Sequence, residues 1–269
     1  MVTALKTSIN ILLVFLFAAC TSVPDERMTP YVDFPETREL TARTLSLDSA
    51  LFRYPYRVRV QDDKAVVLDL HGTEYFFHAF HYPGFHYLSS FGKRGDAPEE
   101  MLSAENLRWN GNFLWTLDSN KSELTRLGFA SSGDSLLRLE AVSLDEELLR
   151  ALDFVQYDDS TFIIPDYSGD SRFCLVSRQG KLLHKIGTIP TTDEDALKNA
   201  HPALAQAWRS FIDYNPRNGV LAAVTQLGEV LEIYNLKDST HIVRIGPNGE
   251  PEFQISQGYG IPVSYTHLR

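Results

Sequence analysis

The chain is poor in cysteine: it has two in 269 residues, Cys20 and Cys174. That excludes the dense disulfide framework of small stapled domains, and no paired-cysteine metal motif is present. Positive charge is also scarce. Lys and Arg total 25 against 35 Asp and Glu, a formal net charge of −10, and no basic patch interrupts the sequence. A nucleic-acid partner is therefore not expected, because neutralising phosphates needs a cationic face. There is no Gly-x-Ser-x-Gly elbow and no phosphate loop. No apolar run reaches the roughly 20 residues that a membrane-crossing helix needs.

The N-terminus does carry a short apolar run, residues 11–17, behind Lys6 and ahead of Ala18-Ala19-Cys20. Positive charge, a short apolar core and small residues before a cleavage point make a secretory signal. The small residues fit a peptidase groove that admits little beside the scissile bond. A cysteine directly after them resembles a bacterial lipobox, with Phe17 where Leu is usual. The resemblance implies a lipoprotein signal peptide over 1–19, lipid attachment at Cys20 and a polar tether over 20–29. The protein is then expected in the cell envelope, at the outer membrane on its periplasmic side or at the cell surface. Its membrane contact would be made through acyl chains, of which several anchor where one does not. Cys174, inside Phe173-Cys174-Leu175-Val176, reads as a small core residue.

The body repeats. Ala65-Val66-Val67-Leu68-Asp69 is an apolar run ending in Asp; Leu114-Trp115-Thr116-Leu117-Asp118 and Phe162-Ile163-Ile164-Pro165-Asp166 echo it. Leu221-Ala222-Ala223-Val224-Thr225 follows with Thr in the Asp position. A turn precedes each run, and a strand is predicted before each turn, over 56–60, 106–109, 153–156 and 210–213. Two more strands are predicted after each run. Four strands per period of roughly 45–50 residues predict an all-β protein, a β-propeller of four-stranded antiparallel blades occupying 30–262. Stacking blades buries both faces of each sheet, which accounts for near-continuous apolar runs where a half-exposed strand would alternate. Residues 193–207, rich in Ala and Leu, predict a short helical insertion at the rim, with Thr191-Thr192 as the N-cap and a break at Pro202.

Two stretches carry a family resemblance. Phe91-Gly92-Lys93-Arg94-Gly95-Asp96-Ala97-Pro98-Glu99-Glu100 resembles the exit of blade one in TolB-like six-bladed propeller lipoproteins of Bacteroidota. Residues 211–219 with Leu231-Glu232-Ile233-Tyr234-Asn235-Leu236 resemble a later blade of the same proteins. Four to five of the six blades that the resemblance implies are countable, and residues 39–47 are expected to supply an outer strand to the last. Residues 263–269 resemble a translated adapter sequence and are expected to be a non-native tail on an incomplete propeller.

Chemistry-bearing residues are few. Asp69, Asp118 and Asp166 recur at the end of the second strand, so they gather at one face of the propeller as weak ligand-binding candidates. Their repetition favours a structural role, each accepting backbone N–H groups in its own turn. His71, His78, His81 and His86 crowd one blade, but His78 and His81 point to opposite faces of a strand, which disfavours a shared metal. Residues 166–170 faintly resemble a calcium loop that lacks its later Glu. The first strands and their edges offer Arg57, Arg59, Asn106, Arg108, Asp153, Gln156, Arg209 and Asp213 near the axis, a mixed set. No catalytic residue, metal ligand or cofactor is assigned. The expected function is a noncatalytic binding scaffold for a protein or glycan partner. The alternative is a lactonase-like or lyase-like propeller enzyme with a metal or polar site in the central channel.

Overall fold

The computed structural model describes residues 36–42, 44–45, 52–256 and 259–262. Blade one is β1 (Pro55–Gln61), β2 (Lys64–Asp69), β3 (Tyr75–His81) and β4 (His86–Lys93). Blade two is β5 (Ala104–Asn110), β6 (Phe113–Asp118), β7 (Glu123–Phe129) and β8 (Leu136–Ser143). Blade three is β9 (Val155–Asp158), β10 (Thr161–Pro165), β11 (Phe173–Ser177) and β12 (Leu182–Ile186). Two helices, α1 (Glu194–Asn199) and α2 (His201–Ala207), precede blade four: β13 (Ser210–Asn215), β14 (Val220–Thr225), β15 (Val230–Asn235) and β16 (Thr240–Ile245). A hairpin of β17 (Phe253–Ser256) and β18 (Tyr259–Pro262) follows. Each blade is antiparallel, with its strands side by side in chain order.

The second strand of each blade shows why the apolar runs are continuous. Successive side chains point to opposite faces of a strand, and each face meets a different neighbour. In β2, Val66 and Leu68 enter the core shared with blade two, while Ala65 and Val67 pack on the other side with Phe80. In β10, Phe162 and Ile164 join Trp115 and Leu117 of blade two, and Ile163 joins Leu221 and Ala223 of blade four. Only β14 departs from this pattern. Leu221 and Ala223 are buried against blade three, but Val224 on the opposite face is exposed.

The insertion differs from its predicted form. It is two helices, because Pro202 sits in the first turn of α2, where its missing N–H costs nothing. The N-cap is Asp193, whose carboxylate accepts the Ala196 N–H at 2.9 Å, and not the Thr191-Thr192 pair. Thr191 is instead bound to Glu250, its hydroxyl donating at 2.6 Å. The insertion is also more than a rim decoration: Leu204 and Trp208 are fully buried in a core with Val230, Val243 and Ile245 of blade four. The outer strand expected over 39–47 does not form in its described part, since 39–42 and 44–45 carry no regular structure. The signal peptide, Cys20, the tether and the 263–269 tail lie outside the described residues.

Candidate functional site

The first strands of the blades line a common axis, with β1 against β5 and β9 against β13. Their polar side chains interlock across all four blades. Arg57 donates to Asn106 Oδ1 at 2.6 Å, and Asn106 donates in turn to Asp153 Oδ1. Arg108 donates to Asp153 Oδ1 at 3.0 Å, to Asp213 Oδ1 at 3.1 Å and to the Ile212 carbonyl. The other Asp153 oxygen accepts the Ile212 N–H at 3.2 Å. Asn106, Arg108 and Asp153 are buried. A buried ion pair of this kind adds little net stability unless its remaining groups are also bonded, and Asp153 is bonded at both oxygens. The predicted strand over 153–156 begins two residues late, at Val155, which frees Asp153 to turn inward.

One cavity lies toward each end of the strands that this network joins. The first, of about 230 Å³, opens where β1 and β13 begin. Aromatic rings frame it. Tyr54 stacks on Tyr56 with centroids 6.0 Å apart, His71 lies 5.3 Å from Tyr54, and Arg57 sits between Tyr56 and Phe211, 5.5 Å from each ring. Tyr54, Tyr56 and Phe211 are all exposed. The second cavity, of about 280 Å³, opens at the opposite end of the first strands and is lined by Arg59, Arg108, Trp109, Gln156, Asp213 and Tyr214. Burial, and then the neighbouring Arg108 charge, lower the pKa of Arg59 from its ordinary value.

Each of the three repeated aspartates accepts donors close to it in its own blade, and none of them lines the first cavity. Asp69 takes the Arg53 and Tyr54 N–H groups at 2.8 and 2.6 Å. Asp118 takes those of Leu102, Ser103, Asn120 and Lys121. Asp166 takes those of Ser168 and Ser171. Asp69 thus ties down the chain that leads into β1 and not its own turn, and Asp118 does both. Thr225 holds the equivalent place in blade four, its hydroxyl accepting the Val230 N–H at 3.2 Å. In the 166–170 loop the Lys185 ammonium lies 3.2 Å from Asp166, 3.0 Å from Asp170 and 3.0 Å from Ser168 Oγ.

The four histidines do not converge. His78 is buried against Ser90, His81 is exposed beside Asp63, and His71 lies at the aromatic mouth. No group of three metal-ligating side chains occurs among the described residues. Cys174 is a free, buried thiol.

The axial residues were individually visible in the sequence, but their joining was not. Arg57 and Asn106 stand 49 positions apart, as do Arg59 and Arg108, the same interval that separates the apolar runs of blades one and two. Superimposing the repeats on the first strands would have paired them. Nothing in the sequence singles out Tyr54, Tyr56, Trp109, Phe211 and Tyr214 as cavity residues.

Consecutive four-stranded blades around a polar axis define a β-propeller. The profile of the TolB-like 6-blade propeller-like family matches residues 33–264. The chain belongs to that family. No curated protein matches it. Among solved structures it is similar to a candidate exported protein of Bacteroides fragilis, at 9% identity and a TM-score of 0.46, covering 74% of this chain and 73% of that one. It is similar also to a candidate 6-phosphogluconolactonase of the same species, at 14% identity, 74% and 59% coverage and a TM-score of 0.42. A third is the hydrazine synthase of Kuenenia stuttgartiensis, at 8% identity, 81% and 55% coverage and a TM-score of 0.47. The chain spans less than two thirds of the latter two. No described helix is long and apolar enough to cross a membrane.

Proposed function

We propose that this protein is a noncatalytic binding propeller, held at the cell envelope by acylation of Cys20, that presents its aromatic mouth to a glycan partner. The observation that carries the reading is the exposed Tyr54–Tyr56 stack facing Phe211 across the first cavity. The C–H face of a sugar ring is apolar and slightly positive, so it lies well on the negative face of an aromatic ring. Here the rings stand on strands fastened by Asp69 and by the axial network, so little ordering entropy opposes binding. The buried carboxylate at the axis is bonded at both oxygens: Asp153 accepts from Asn106, Arg108 and the N–H groups of Phe154 and Ile212. A protein partner is the other occupant that flat exposed rings suit.

The test has two arms. Radiolabelled palmitate fed to cells should enter the wild-type chain and not Cys20→Ser; equal labelling overturns the anchor. The folded domain should bind immobilised oligosaccharides on a glycan array, and Tyr54→Ala with Tyr56→Ala should lose at least tenfold in affinity. An array without specific binding overturns the glycan reading.

A further inference from the structure

The second cavity has features that the aromatic mouth lacks. Four of its lining side chains carry a buried polar atom with no hydrogen-bond partner: Arg59 Nε, Arg108 Nε, Trp109 Nε1 and Gln156 Oε1. Three are donors and one is an acceptor. A buried donor left unpaired keeps its desolvation penalty, and most buried polar groups in folded proteins are satisfied. Four such atoms around one cavity therefore point to an occupant that completes them.

The charges around the cavity indicate its sign. Three guanidinium groups, Arg57, Arg59 and Arg108, meet at the axis, and among the described residues Asp153 and Asp213 are the carboxylates that act on Arg59. Asp153 belongs to the axial network, turned to Arg108 and Asn106. Asp213 is largely exposed and lies 3.8 Å from Arg59, too far for a hydrogen bond. Arg59 is thus incompletely neutralised, and one more negative group would balance the cluster. Arginine suits that group because its planar fork meets carboxylate and phosphate oxygens two at a time.

The remaining atoms describe the body behind the negative group. Gln156 already donates to the Asp158 carbonyl at 3.0 Å, so its unpaired oxygen needs a donor such as a hydroxyl. Trp109, which stacks on Phe129, and Tyr214, which lies against Tyr157, border the cavity with apolar ring surface. A cavity of about 280 Å³ admits a molecule of monosaccharide size.

We infer that the cavity at the exit ends of the first strands binds a small hydroxylated oxyanion, a sugar acid or sugar phosphate. Arg59 takes the negative group with help from the unpaired Arg108 Nε, Trp109 Nε1 takes a further oxygen, and Gln156 accepts a hydroxyl. The inference does not depend on the aromatic mouth, which lies toward the other end of the first strands.

The test is calorimetric titration of the folded domain with glucuronate, glucose 6-phosphate, inorganic phosphate and glucose. At least one of the two anionic sugars should bind at least tenfold more tightly than glucose, and inorganic phosphate should bind more weakly than that sugar. Arg59→Gln should reduce the binding at least tenfold, and Trp109→Phe should reduce it severalfold. Arg59→Gln should keep the wild-type melting temperature, since Arg59 makes none of the axial hydrogen bonds, whereas Trp109 also packs on Phe129 and its variant is read by affinity alone. Tyr54→Ala should leave this binding unchanged while it weakens glycan capture, so the two readings fail separately. Equal binding of glucose and the anions, binding of none, or wild-type affinity in Arg59→Gln would overturn the inference. Inorganic phosphate binding as tightly as the sugars would reduce the site to one for an adventitious ion only and overturn it as well.

Discussion

Arg172 of blade three clasps Glu232 of blade four, with its Nε 2.8 Å and its Nη2 2.7 Å from Glu232 Oε1, and both side chains are buried. The arginine also donates to the Trp208 carbonyl at 3.2 Å, and the Tyr234 hydroxyl donates to the second Glu232 oxygen at 2.6 Å. The contact joins two blades and the end of α2. Removing one partner of such a pair leaves a buried charge uncompensated, at a cost of about 3–5 kcal/mol. Glu232→Gln should lower the urea midpoint accordingly. Burial alone would raise the Glu232 pKa, but His241, Arg172 and Tyr234 outweigh it and hold the carboxyl below its ordinary value. A depressed carboxylate stabilises the fold above its unfolded pKa, about 4.3, and that contribution is lost as pH falls through the lower folded value. The stability gap between wild type and Glu232→Gln should therefore be present at pH 5 and narrow below pH ~4. A gap that does not change with pH would refute the assignment.

Asp118 accepts four backbone N–H groups from both sides of the blade-two turn. Asn in its place keeps one acceptor oxygen and turns an NH₂ toward donors. Asp118→Asn should cost about 2–3 kcal/mol, in line with loss of charge-assisted bonds. If the recurring aspartates held a cation, calcium would raise the melting temperature of the wild type and not that of the variant. The bonding here predicts no such difference, and differential scanning fluorimetry with and without calcium decides it.

These two contacts mark what was legible beforehand. The recurrence of an Asp behind an apolar run was visible, and so was its structural role, because the same need arises in every blade. The continuous apolar runs of β2 and β10 were equally visible, since a strand buried on both faces has no polar side. The Arg172–Glu232 pair was not, because the two are 60 positions apart and no repeat interval relates them. The N-cap was misplaced by one residue for a local reason: Thr191 can cap, but Glu250 engages its hydroxyl, and that contact is tertiary. The axial network fell between these cases. It follows the repeat interval, yet its chemistry changes from blade to blade, so pattern matching alone passed over it.

Among the described residues, no sheet covers one face of blade four. Phe211, Val224, Leu231 and Ile242 share it by strand register and are 43%, 47%, 37% and 45% exposed. An apolar surface of this kind promotes association between copies. The protein should therefore self-associate at high concentration. Val224→Lys with Ile242→Lys should shift light scattering toward the monomer without lowering the melting temperature, because neither side chain is in the buried core. Unchanged association would place the sticky surface elsewhere.

Cys174 offers a probe of whether the blades open independently. Its side chain lies in the core between blades two and three with Trp115, Phe154 and Phe162. Burial raises its pKa to about 12, with Asp166 adding to the effect. Thiolate is the reactive form, so at pH 8 the native thiol is both shielded and protonated. In a Cys20→Ser chain, Ellman's reagent should react with Cys174 only as the protein unfolds, at a rate that follows global unfolding through the urea transition. If labelling instead proceeds well below the transition, blades two and three separate without global unfolding, and the inter-blade core is a weaker unit than its packing implies.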